Sequence, residues 1–345
     1  MIITIDGGST NTRLYLWKDK NILLAEDKAR IGAQTTAVEG NNTHLKQEIS
    51  RLINELIYRA GVSMEQIECI YASGMITSEL GLFEVPHLIA PVSAMDLADG
   101  IRRVKFPEIC PMEISFIPGV KNISDEKVLL NNIEEMDIMR GEETEVFGVL
   151  AQDEAIRDLI VILPGTHTKI VFVKDRKIQS CITSMSGEML QLLTEYSILS
   201  EAVHKMYVTN DGINKEYLVS GFEKATQTES FGRAAFLARI CSKFIDRDPQ
   251  KIASFLLGVI LNNDVNALVN SDYFRRNKTD LIMIHGKEPL SSCLKELLER
   301  KIRDIDIKVL DNDSIPLSGR GALYLNAYCE AKRPLLRSLT ATFQN

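Results

Sequence analysis

Short apolar runs separated by polar turns open the chain and predict an antiparallel meander. The runs Ile2–Asp6, Arg13–Lys18 and Ile22–Asp27 have the length and composition of strands. Apolar residues then recur at helical spacing from about Thr43 to Ala60, which predicts a helix, and a strand follows at Ile67–Ala72. A helix at Ser93–Val104 and a strand at Ile114–Ile117 complete a β-β-β-α-β-α-β order.

The second half of the chain repeats this plan with a long helical insertion. Three strands precede a helix that opens at Ser186, and a helical segment of about 80 residues follows, near residues 207–280. The last helix, at Leu317–Tyr328, contains small residues that allow close packing. The other predicted elements are strands at Leu159–Leu163, Ile170–Lys174, Lys177–Thr183, Leu281–His285 and Ile305–Leu310, and helices at Phe231–Phe244, Pro249–Leu268 and Leu290–Arg300.

Length and the repeat predict two lobes. At 345 residues the chain exceeds the size at which a single core stops growing. We place an N-terminal lobe at residues 1–150 and a C-terminal lobe at residues 151–345. Because the sequence has no flexible Gly/Ser linker, we expect the lobes to join through packed segments, which suits hinge closure.

Composition narrows the class of protein. A formal charge of −7 argues against binding to nucleic acid or to an acidic membrane surface. No run of eighteen uninterrupted apolar residues occurs, and the chain starts directly with a core strand, so neither a membrane span nor a signal peptide is expected. The six cysteines lack CxxC spacing, which favours reduced thiols in the cytoplasm over a metal cluster or a disulfide framework.

The first turn carries the chemistry of a phosphate loop. Asp6 ends the first strand, and Gly8, Ser9 and Thr10 follow in the turn. Glycine lets backbone approach a ligand closely, and backbone N–H groups favour anions. A carboxylate at the position of Asp6 can orient a hydrated Mg²⁺ beside bound phosphates. The alternative is an ordinary hairpin with a glycine-rich turn.

A second turn of the same kind follows about 155 residues later. Gly165 and Thr166 lie between the strands Leu159–Leu163 and Ile170–Lys174. Neither turn matches GxxxxGK[ST] or GxGxxG, which excludes a Walker-A ATPase and a Rossmann dehydrogenase. Paired hairpin loops of this kind are the pattern of the actin, hexokinase and Hsp70 superfamily. That resemblance implies an α/β fold of two ribonuclease-H-like lobes around an interdomain ATP cleft.

The segment between the turns contains the candidate general base. Met139-Arg140-Gly141-Glu142-Glu143-Thr144 begins a predicted helix about twenty residues before the second turn. Sugar kinases of this superfamily have their catalytic Asp at this place, so Glu142 is the candidate and Glu143 is the second choice. A carboxylate at a helix N-terminus stays ionised and can accept a hydroxyl proton. Alternatively, these glutamates only complement the helix dipole.

These stretches together resemble the 2-dehydro-3-deoxygalactonokinase family over nearly the whole chain. The family phosphorylates a 2-keto-3-deoxy sugar acid at its terminal hydroxyl with ATP and Mg²⁺. The most specific matches are the Met-Arg-Gly-Glu-Glu-Thr stretch and the later Pro-Gly-Thr-His stretch, in that order and spacing. Further matches are Asp6–Arg13, Ser73-Gly74-Met75, Ile117–Val120, Leu163–Lys169 and Ser186-Gly187-Glu188.

The resemblance and the chemistry of the side chains together suggest further roles. The substrate carboxylate needs cations, for which Arg13, Arg140 and Lys169 are the candidates, because guanidinium binds carboxylate bidentately. Arg13 and Lys169 could instead be strand residues that face solvent, and Arg140 a surface cation at a helix entry. Candidate contacts to the rest of the substrate are Asn11, His167 and Glu188, while Gly286, with Lys287 and Ser291 beside it, is the candidate adenosine site.

Alternatives remain open for the activity and the assembly. The related substrate 2-keto-3-deoxygluconate differs only as an epimer, and one or two hydrogen bonds would decide between them. A non-catalytic actin-like nucleotide-binding protein is a further alternative. A small-molecule sugar acid is the expected partner, and a homodimer is a possibility.

Overall fold

The structure is a computed structural model that describes residues 1–19, 22–310 and 316–342, with side chains described up to Ala331. Its residues form two compact units. The first comprises residues 1–157 and 174–181 together with the C-terminal helix, and the second comprises residues 158–173 and 182–310. The predicted lobes were continuous in sequence, whereas each unit is built from separated segments.

A twisted sheet with an antiparallel meander forms the centre of the first unit. The strands of the unit are β1 (Ile2–Gly7), β2 (Thr12–Asp19), β3 (Ile22–Ala29), β4 (Cys69–Gly74), β5 (Leu88–Ile89), β6 (Arg102–Lys105), β7 (Glu113–Phe116), β8 (Val120–Lys121) and β9 (Ile138–Met139). The main sheet has the order β3-β2-β1-β4-β7-β6. β1, β4 and β7 are parallel, and β2 and β3 continue antiparallel from β1. β5, β8 and β9 form a separate small sheet.

Helix α2 covers one face of this sheet, as its apolar spacing predicts. The helices of this part are α1 (Ala33–Glu39), α2 (Thr43–Ala60), α3 (Ala94–Gly100) and α4 (Glu142–Leu150). The buried face of α2 packs on alternate residues of β1 and β2. The residues in this contact are Ile3, Ile5, Leu14, Leu16, Leu45, Ile49, Leu52, Ile53 and Leu56. This core holds the β1–β2 hairpin, and therefore the first turn, in place.

The predicted helix at Ser93–Val104 is wrong in its second half. Helix α3 begins after Ser93, whose hydroxyl accepts a hydrogen bond from the backbone N–H of Asp96, and it ends at Gly100. The following residues form β6, which pairs antiparallel with β7. Leu97, Ile101 and Val104 fit helical spacing, but sheet pairing prevails because glycine weakens the helix at residue 100.

The second unit repeats the strand order of the first. The strands of its sheet are β10 (Leu159–Leu163), β11 (Thr168–Lys174), β12 (Lys177–Ser184), β13 (Leu281–Ile284) and β14 (Asp306–Val309), although residues 174–181 are grouped with the first unit. Their order is β12-β11-β10-β13-β14, with β10, β13 and β14 parallel. Numbered within each sheet, the five-stranded sheet has a 3-2-1-4-5 arrangement, and the first sheet has a 3-2-1-4-6-5 arrangement in which the antiparallel edge strand β6 is additional. The plan of five strands that the two sheets share confirms the predicted repeat. In both sheets the predicted turn joins the first two strands, which form an antiparallel hairpin.

The predicted helical insertion is present in the second unit. Its helices are α5 (Ser186–Tyr196), α6 (Lys215–Thr228), α7 (Phe231–Phe244), α8 (Pro249–Asn270), α9 (Asp272–Arg276) and α10 (Leu290–Lys301). Within the described residues, α8 is the one helix long and apolar enough to cross a membrane, and 78% of its most apolar stretch is buried. Residues of α6, α7, α10 and the sheet surround it in a common hydrophobic core, which explains its apolar sequence.

The C-terminal helix α11 (Leu317–Thr342) packs against α4 of the first unit. A Cβ atom on Gly321 would lie 1.8 Å from the carbonyl oxygen of Thr144, and one on Gly148 would lie 2.2 Å from that of Leu317. The two helices therefore approach as closely as their glycines allow, which confirms the close packing predicted for this helix. α11 fixes the position of α4, which begins at Glu142.

Candidate active site

The turn between β1 and β2 is closed by its own backbone. The N–H of Gly8 donates to the carbonyl oxygen of Asn11 at 2.8 Å. The carbonyl oxygens of Gly8 and Ser9 accept hydrogen bonds from the N–H groups of Ala33 and Gln34, at the start of α1. Ser9, Thr10 and Asn11 are exposed. The turn is thus anchored by its carbonyl groups, while its hydroxyl side chains stay accessible.

Asp6 lies at the end of β1 and forms an ion pair with Arg13. Nη1 of Arg13 lies 3.3 Å from Oδ2 of Asp6. Burial raises the pKa of Asp6, and the charge and hydrogen bond of Arg13 oppose that rise. Arg13 also lines a depression of about 280 Å³ with Tyr15, Glu26, Asp27 and Lys28. The residue is therefore a partner of Asp6 and remains partly accessible.

Stacked glycine backbones bring the start of α4 against the end of β1. A Cβ atom on Gly74 would lie 2.5 Å from the carbonyl oxygen of Gly7, and one on Gly141 would lie 3.0 Å from Cα of Gly74. Gly74 and Gly141 have φ values of 86° and 114°, which other residues adopt only with strain. These contacts position Glu142, the first residue of α4, near the first turn.

The glutamates at the start of α4 have different surroundings. Glu142 is half-buried, and its Oε2 accepts a hydrogen bond from the backbone N–H of Arg140 at 3.0 Å. Glu143 is fully buried, and both of its oxygens lie within 2.9 Å of the N–H of Gly141. Burial and the charge of Glu142 raise the pKa of Glu143 to about 8. Glu143 is therefore largely protonated at neutral pH.

Glu145 is an acidic neighbour of the first turn that the sequence prediction did not include. Burial and the charge of Asp6, followed by the charges of Glu142 and Glu143, raise the pKa of Glu145 well above its ordinary value. Protonation of Glu143 and Glu145 relieves repulsion in this group of carboxylates.

The guanidinium of Arg140 is engaged with the segment between β4 and β5. Nη1 donates to the carbonyl oxygen and the hydroxyl of Thr77 at 2.6 and 2.7 Å. Nη2 donates to the carbonyl oxygen of Val85 at 2.9 Å and lies 3.2 Å from Nδ1 of His87. The hydrogen bonds of Arg140 favour a role in fixing the segment between β4 and β5. Contact of Arg140 with the substrate carboxylate stays a prediction.

The second turn lies between β10 and β11 and is held by the start of α5. Gly165, Thr166 and His167 are exposed. The N–H of Glu188 donates to the carbonyl oxygen of Thr166 at 2.8 Å, and Nε2 of His167 lies 2.8 Å from Oε2 of Glu188. A Cβ atom on Gly187 would lie 2.0 Å from the carbonyl oxygen of Gly165. The structure brings together the turn, His167 and Glu188, all of which are predicted site residues.

Two other predicted residues lie close to this turn with structural partners. Nζ of Lys169 donates to the hydroxyl of Thr183 at 2.6 Å, and the side chain is almost fully buried. Lys169 is therefore not the solvent-facing strand residue that the sequence left as an alternative. Gly286 packs on the turn itself, because a Cβ atom there would lie 2.6 Å from Cγ of Pro164. This close approach explains why residue 286 is a glycine. Contact of Gly286 with adenosine stays a prediction.

Asp264 is a residue near the second turn that the sequence analysis missed. It lies on α8, is 1% exposed, and accepts hydrogen bonds from the hydroxyls of Thr168, Ser184 and Ser186. A carboxylate in a long apolar helix is unusual because its burial is costly without partners. The isolated carboxylate in the apolar sequence of α8 was the signal that could have pointed to Asp264. Its hydrogen-bond partners could not be identified from the sequence, because they lie 78 to 96 residues away.

The residues around the first turn fit Mg²⁺ only if water and substrate phosphates supply the other ligands. Among residues 1–19, 22–310 and 316–331, no group of three or more His, Cys, Asp or Glu is arranged to hold a metal ion. Mg²⁺ in phosphoryl-transfer sites commonly keeps several waters and binds one or two carboxylates plus substrate phosphates. Asp6, beside a turn with exposed hydroxyls, fits that mode.

Comparison with known proteins agrees with the topology. The plan of five strands that the two sheets share is that of the actin-like ATPase fold. A Clostridium difficile protein of this fold, the activator of 2-hydroxyisocaproyl-CoA dehydratase with bound ADPNP, superposes with a TM-score of 0.50 at 14% identity, covering 97% of both chains. The family described as 2-keto-3-deoxy-galactonokinase matches residues 6–321. The chain belongs to this family.

Individual relatives are distant in sequence. A probable 2-dehydro-3-deoxygalactonokinase DgoK1 of Rhizobium meliloti (strain 1021) is 28% identical over 58% of each chain, so the chain matches less than two thirds of that relative. The 2-dehydro-3-deoxygalactonokinase of Escherichia coli (strain K12) is 22% identical over 77% of this chain and 80% of its own. A crystal structure of a provisionally named 2-dehydro-3-deoxygalactonokinase from Sinorhizobium meliloti gives a TM-score of 0.74 at 20% identity, covering 97% and 100% of the two chains.

Proposed function

We propose that the protein is an ATP-dependent kinase that phosphorylates 2-dehydro-3-deoxygalactonate at its terminal hydroxyl, in galactonate catabolism. The observation that carries this proposal is the anchored turn, rich in small and hydroxyl residues, which joins the first two strands in two sheets that share a plan of five strands. Family membership supplies the substrate class. The carboxylates held at the start of α4 supply the acid–base chemistry that transfer to a hydroxyl needs.

The two turns bind the phosphates of ATP in this proposal. Backbone N–H groups and hydroxyls of Gly8, Ser9 and Thr10 contact phosphate oxygens, and Gly165 and Thr166 do the same from the second turn. Asp6 holds Mg²⁺ through water. When bound, Mg²⁺ neutralises charge on the phosphates during transfer. Phosphoryl transfer depends mostly on positioning and electrostatics, so rigid turns suit the reaction.

Glu142 is the proposed general base. A base must be ionised, accessible to the substrate hydroxyl, and held in place. Glu142 is half-buried and bonded to the N–H of Arg140, whereas Glu143 is fully buried and its pKa of about 8 keeps it protonated at neutral pH. These differences support Glu142 over Glu143. Glu143 then serves to hold the N–H of Gly141 at the start of α4.

Arg13 is the proposed principal contact of the substrate carboxylate. Its side chain is 41% exposed and already lies beside Asp6. Guanidinium has several donors in a planar fork, so one can serve Asp6 while others bind a carboxylate. Lys169 is the second candidate, and Arg140 has a weaker claim because its donors contact Thr77 and Val85. Asn11, His167 and Glu188 are proposed to contact the substrate.

The proposed location is the cytoplasm. Within the described residues all of the cysteines are free thiols, which fits a reducing compartment.

The test is a coupled assay of ADP release with purified protein, MgATP and a panel of acceptors. The panel contains 2-dehydro-3-deoxygalactonate, its gluconate epimer, glycerol and xylulose. Turnover of the galactonate derivative in preference to the others is expected. Preference for the epimer would identify 2-keto-3-deoxygluconate as the substrate instead. Binding of ATP without turnover of any acceptor would contradict the kinase and favour a non-catalytic nucleotide-binding protein.

A further inference from the structure

We propose that Asp264 is a positioning residue for the second phosphate turn, an inference that rests on the proposed ATP-binding role of that turn. Asp264 lies on α8, in the helical core of the second unit, and contacts Thr168, which follows the turn, together with two serines at the junction of β12 and α5. Its carboxylate is the common acceptor through which the strands and the helix around the turn are held in one arrangement.

The evidence is a set of hydroxyl hydrogen bonds to a buried carboxylate. Oδ2 accepts from the hydroxyl of Thr168 at 3.0 Å, and Oδ1 accepts from those of Ser184 and Ser186 at 2.5 Å each. The two serine oxygens lie 2.7 Å apart. Burial raises the pKa of Asp264, and the three hydroxyl hydrogen bonds oppose that rise. Hydrogen bonds of this number can compensate much of the cost of burying the carboxyl group.

The partners of Asp264 are adjacent to the residues that form the turn. Thr168 directly follows His167 and begins β11, while Ser184 ends β12. Ser186 begins α5, whose next two residues contact the turn: Gly187 packs on the carbonyl of Gly165, and the N–H of Glu188 binds the carbonyl of Thr166. Asp264 thus links the residue that follows the turn to the start of the helix that packs on the turn.

Asparagine cannot replace this carboxylate fully. Its amide has one acceptor oxygen and a donor NH₂ group, whereas a carboxylate accepts at both oxygens. In Asp264→Asn at least one buried hydroxyl loses its acceptor or meets a donor, which favours a shift of Thr168 or Ser186. We expect the turn to lose its fixed geometry while the hydrophobic core of α8 persists, because core apolar residues are unchanged.

The experiment compares Asp264→Asn with Asp246→Asn, a control that removes a carboxylate paired with Lys251 in the same unit. We measure the Kd for a non-hydrolysable ATP analogue with Mg²⁺, the KM for the sugar acid, and amide hydrogen exchange of peptides covering residues 162–168. Asp264→Asn should raise the Kd at least about tenfold, or about 1.4 kcal/mol, and speed exchange in these peptides. Because His167 and Glu188, two proposed substrate contacts, lie at the same turn, the sugar-acid KM should rise as well.

A second pair of variants guards against simple unfolding. Thr168→Val removes one hydroxyl at nearly constant volume and should reproduce part of both effects, while Thr168→Ser keeps the hydroxyl and should restore ATP affinity. Unchanged Kd in folded Asp264→Asn, or a loss no larger than in Asp246→Asn, would overturn the inference. A wild-type protein that does not bind the analogue would overturn the proposed function instead. Hydrogen exchange would still decide whether Asp264 fixes the turn.

Discussion

Nη1 of Arg13 lies 3.3 Å from Oδ2 of Asp6, and the two residues are directly opposite each other in the β1–β2 pairing. The pair closes the hairpin just below the first phosphate turn. Burial favours the protonated form of Asp6, and the guanidinium favours the ionised form. In the proposed function Asp6 would orient Mg²⁺, and Arg13 favours the ionised carboxylate that this role requires.

Substitution of Arg13 by glutamine should weaken the response to Mg²⁺. Without the guanidinium the pKa of Asp6 rises further, so the Mg²⁺ concentration for half-maximal rate should increase several-fold at pH 7. The defect should shrink at higher pH, where Asp6 ionises without a partner. Steady-state rates over a Mg²⁺ series at two pH values measure this. Arg51→Gln, which removes an exposed cation paired with Glu48 and Glu55, is the control. An unchanged Mg²⁺ dependence in Arg13→Gln would refute this role.

Glu143 should make the stability of the protein depend on pH. The pKa of its buried carboxyl is about 8 in the folded state, against an ordinary value of 4.5. The folded state therefore holds the proton more tightly, so this contribution is complete below about pH 4.5 and is lost as the pH rises toward 8. Within that window the free energy of unfolding should fall by up to about 1.4 kcal/mol per pH unit.

Urea unfolding from pH 5 to pH 8 tests this dependence. Glu143→Gln cannot ionise, so its stability relative to wild type should increase with pH. Glu223→Gln, at an exposed position of α6, should leave the pH dependence as it is in wild type. Parallel pH profiles of wild type and Glu143→Gln would show that Glu143 is ionised in the folded protein, against this account.

Gly187 and Gly232 form a matched pair, because each is the second residue of its helix, α5 and α7. Alanine at residue 187 would place Cβ 2.0 Å from the carbonyl oxygen of Gly165, so the turn must move. We expect ATP affinity to fall at least about tenfold, a loss comparable to removing a good polar contact. Alanine at residue 232 meets no atom within 4 Å and should be neutral or stabilising by up to about 1 kcal/mol. Equal ATP affinity in both variants would exclude a role for this contact.

Glu142 should be required for transfer and dispensable for nucleotide binding. Glu142→Gln keeps the size of the side chain and removes its capacity to accept a proton, so kcat should fall by about 10²–10⁴. The Kd for an ATP analogue, measured by calorimetry, should change little. Glu143→Gln should lower kcat much less. A reversal of these two effects would assign the base to Glu143.

Local patterns were sufficient to predict most of the fold. The apolar spacing of α2 and the alternation in the β1–β2 hairpin agree with the structure because both elements pack on one core. Helix α1, the end of α3 and three short strands were missed. The end of α3 at Gly100 depends on the pairing of β6 with β7, and the two-residue strands β5, β8 and β9 are too short to produce a pattern.

The site could be predicted where its chemistry is local in sequence. The two turns and the glutamates of α4 are contiguous motifs, so their residue types were informative. The contacts of Arg140 with Thr77 and of Asp264 with Thr168 span 63 and 96 residues. Such partners are decided by how the elements pack, which no single stretch of sequence specifies. For the same reason Arg140 was predicted as a substrate cation or as a surface cation at a helix entry, and its contacts with Thr77 and Val85 were not foreseen.

The most direct test of the proposed activity is phosphorus NMR of the wild-type protein with MgATP and 2-dehydro-3-deoxygalactonate. We predict loss of the γ-phosphate signal and growth of a phosphomonoester signal coupled to two protons, as expected for a phosphate on a terminal CH₂–O group. Release of inorganic phosphate alone, or persistence of ATP under conditions where an analogue binds, would contradict the account.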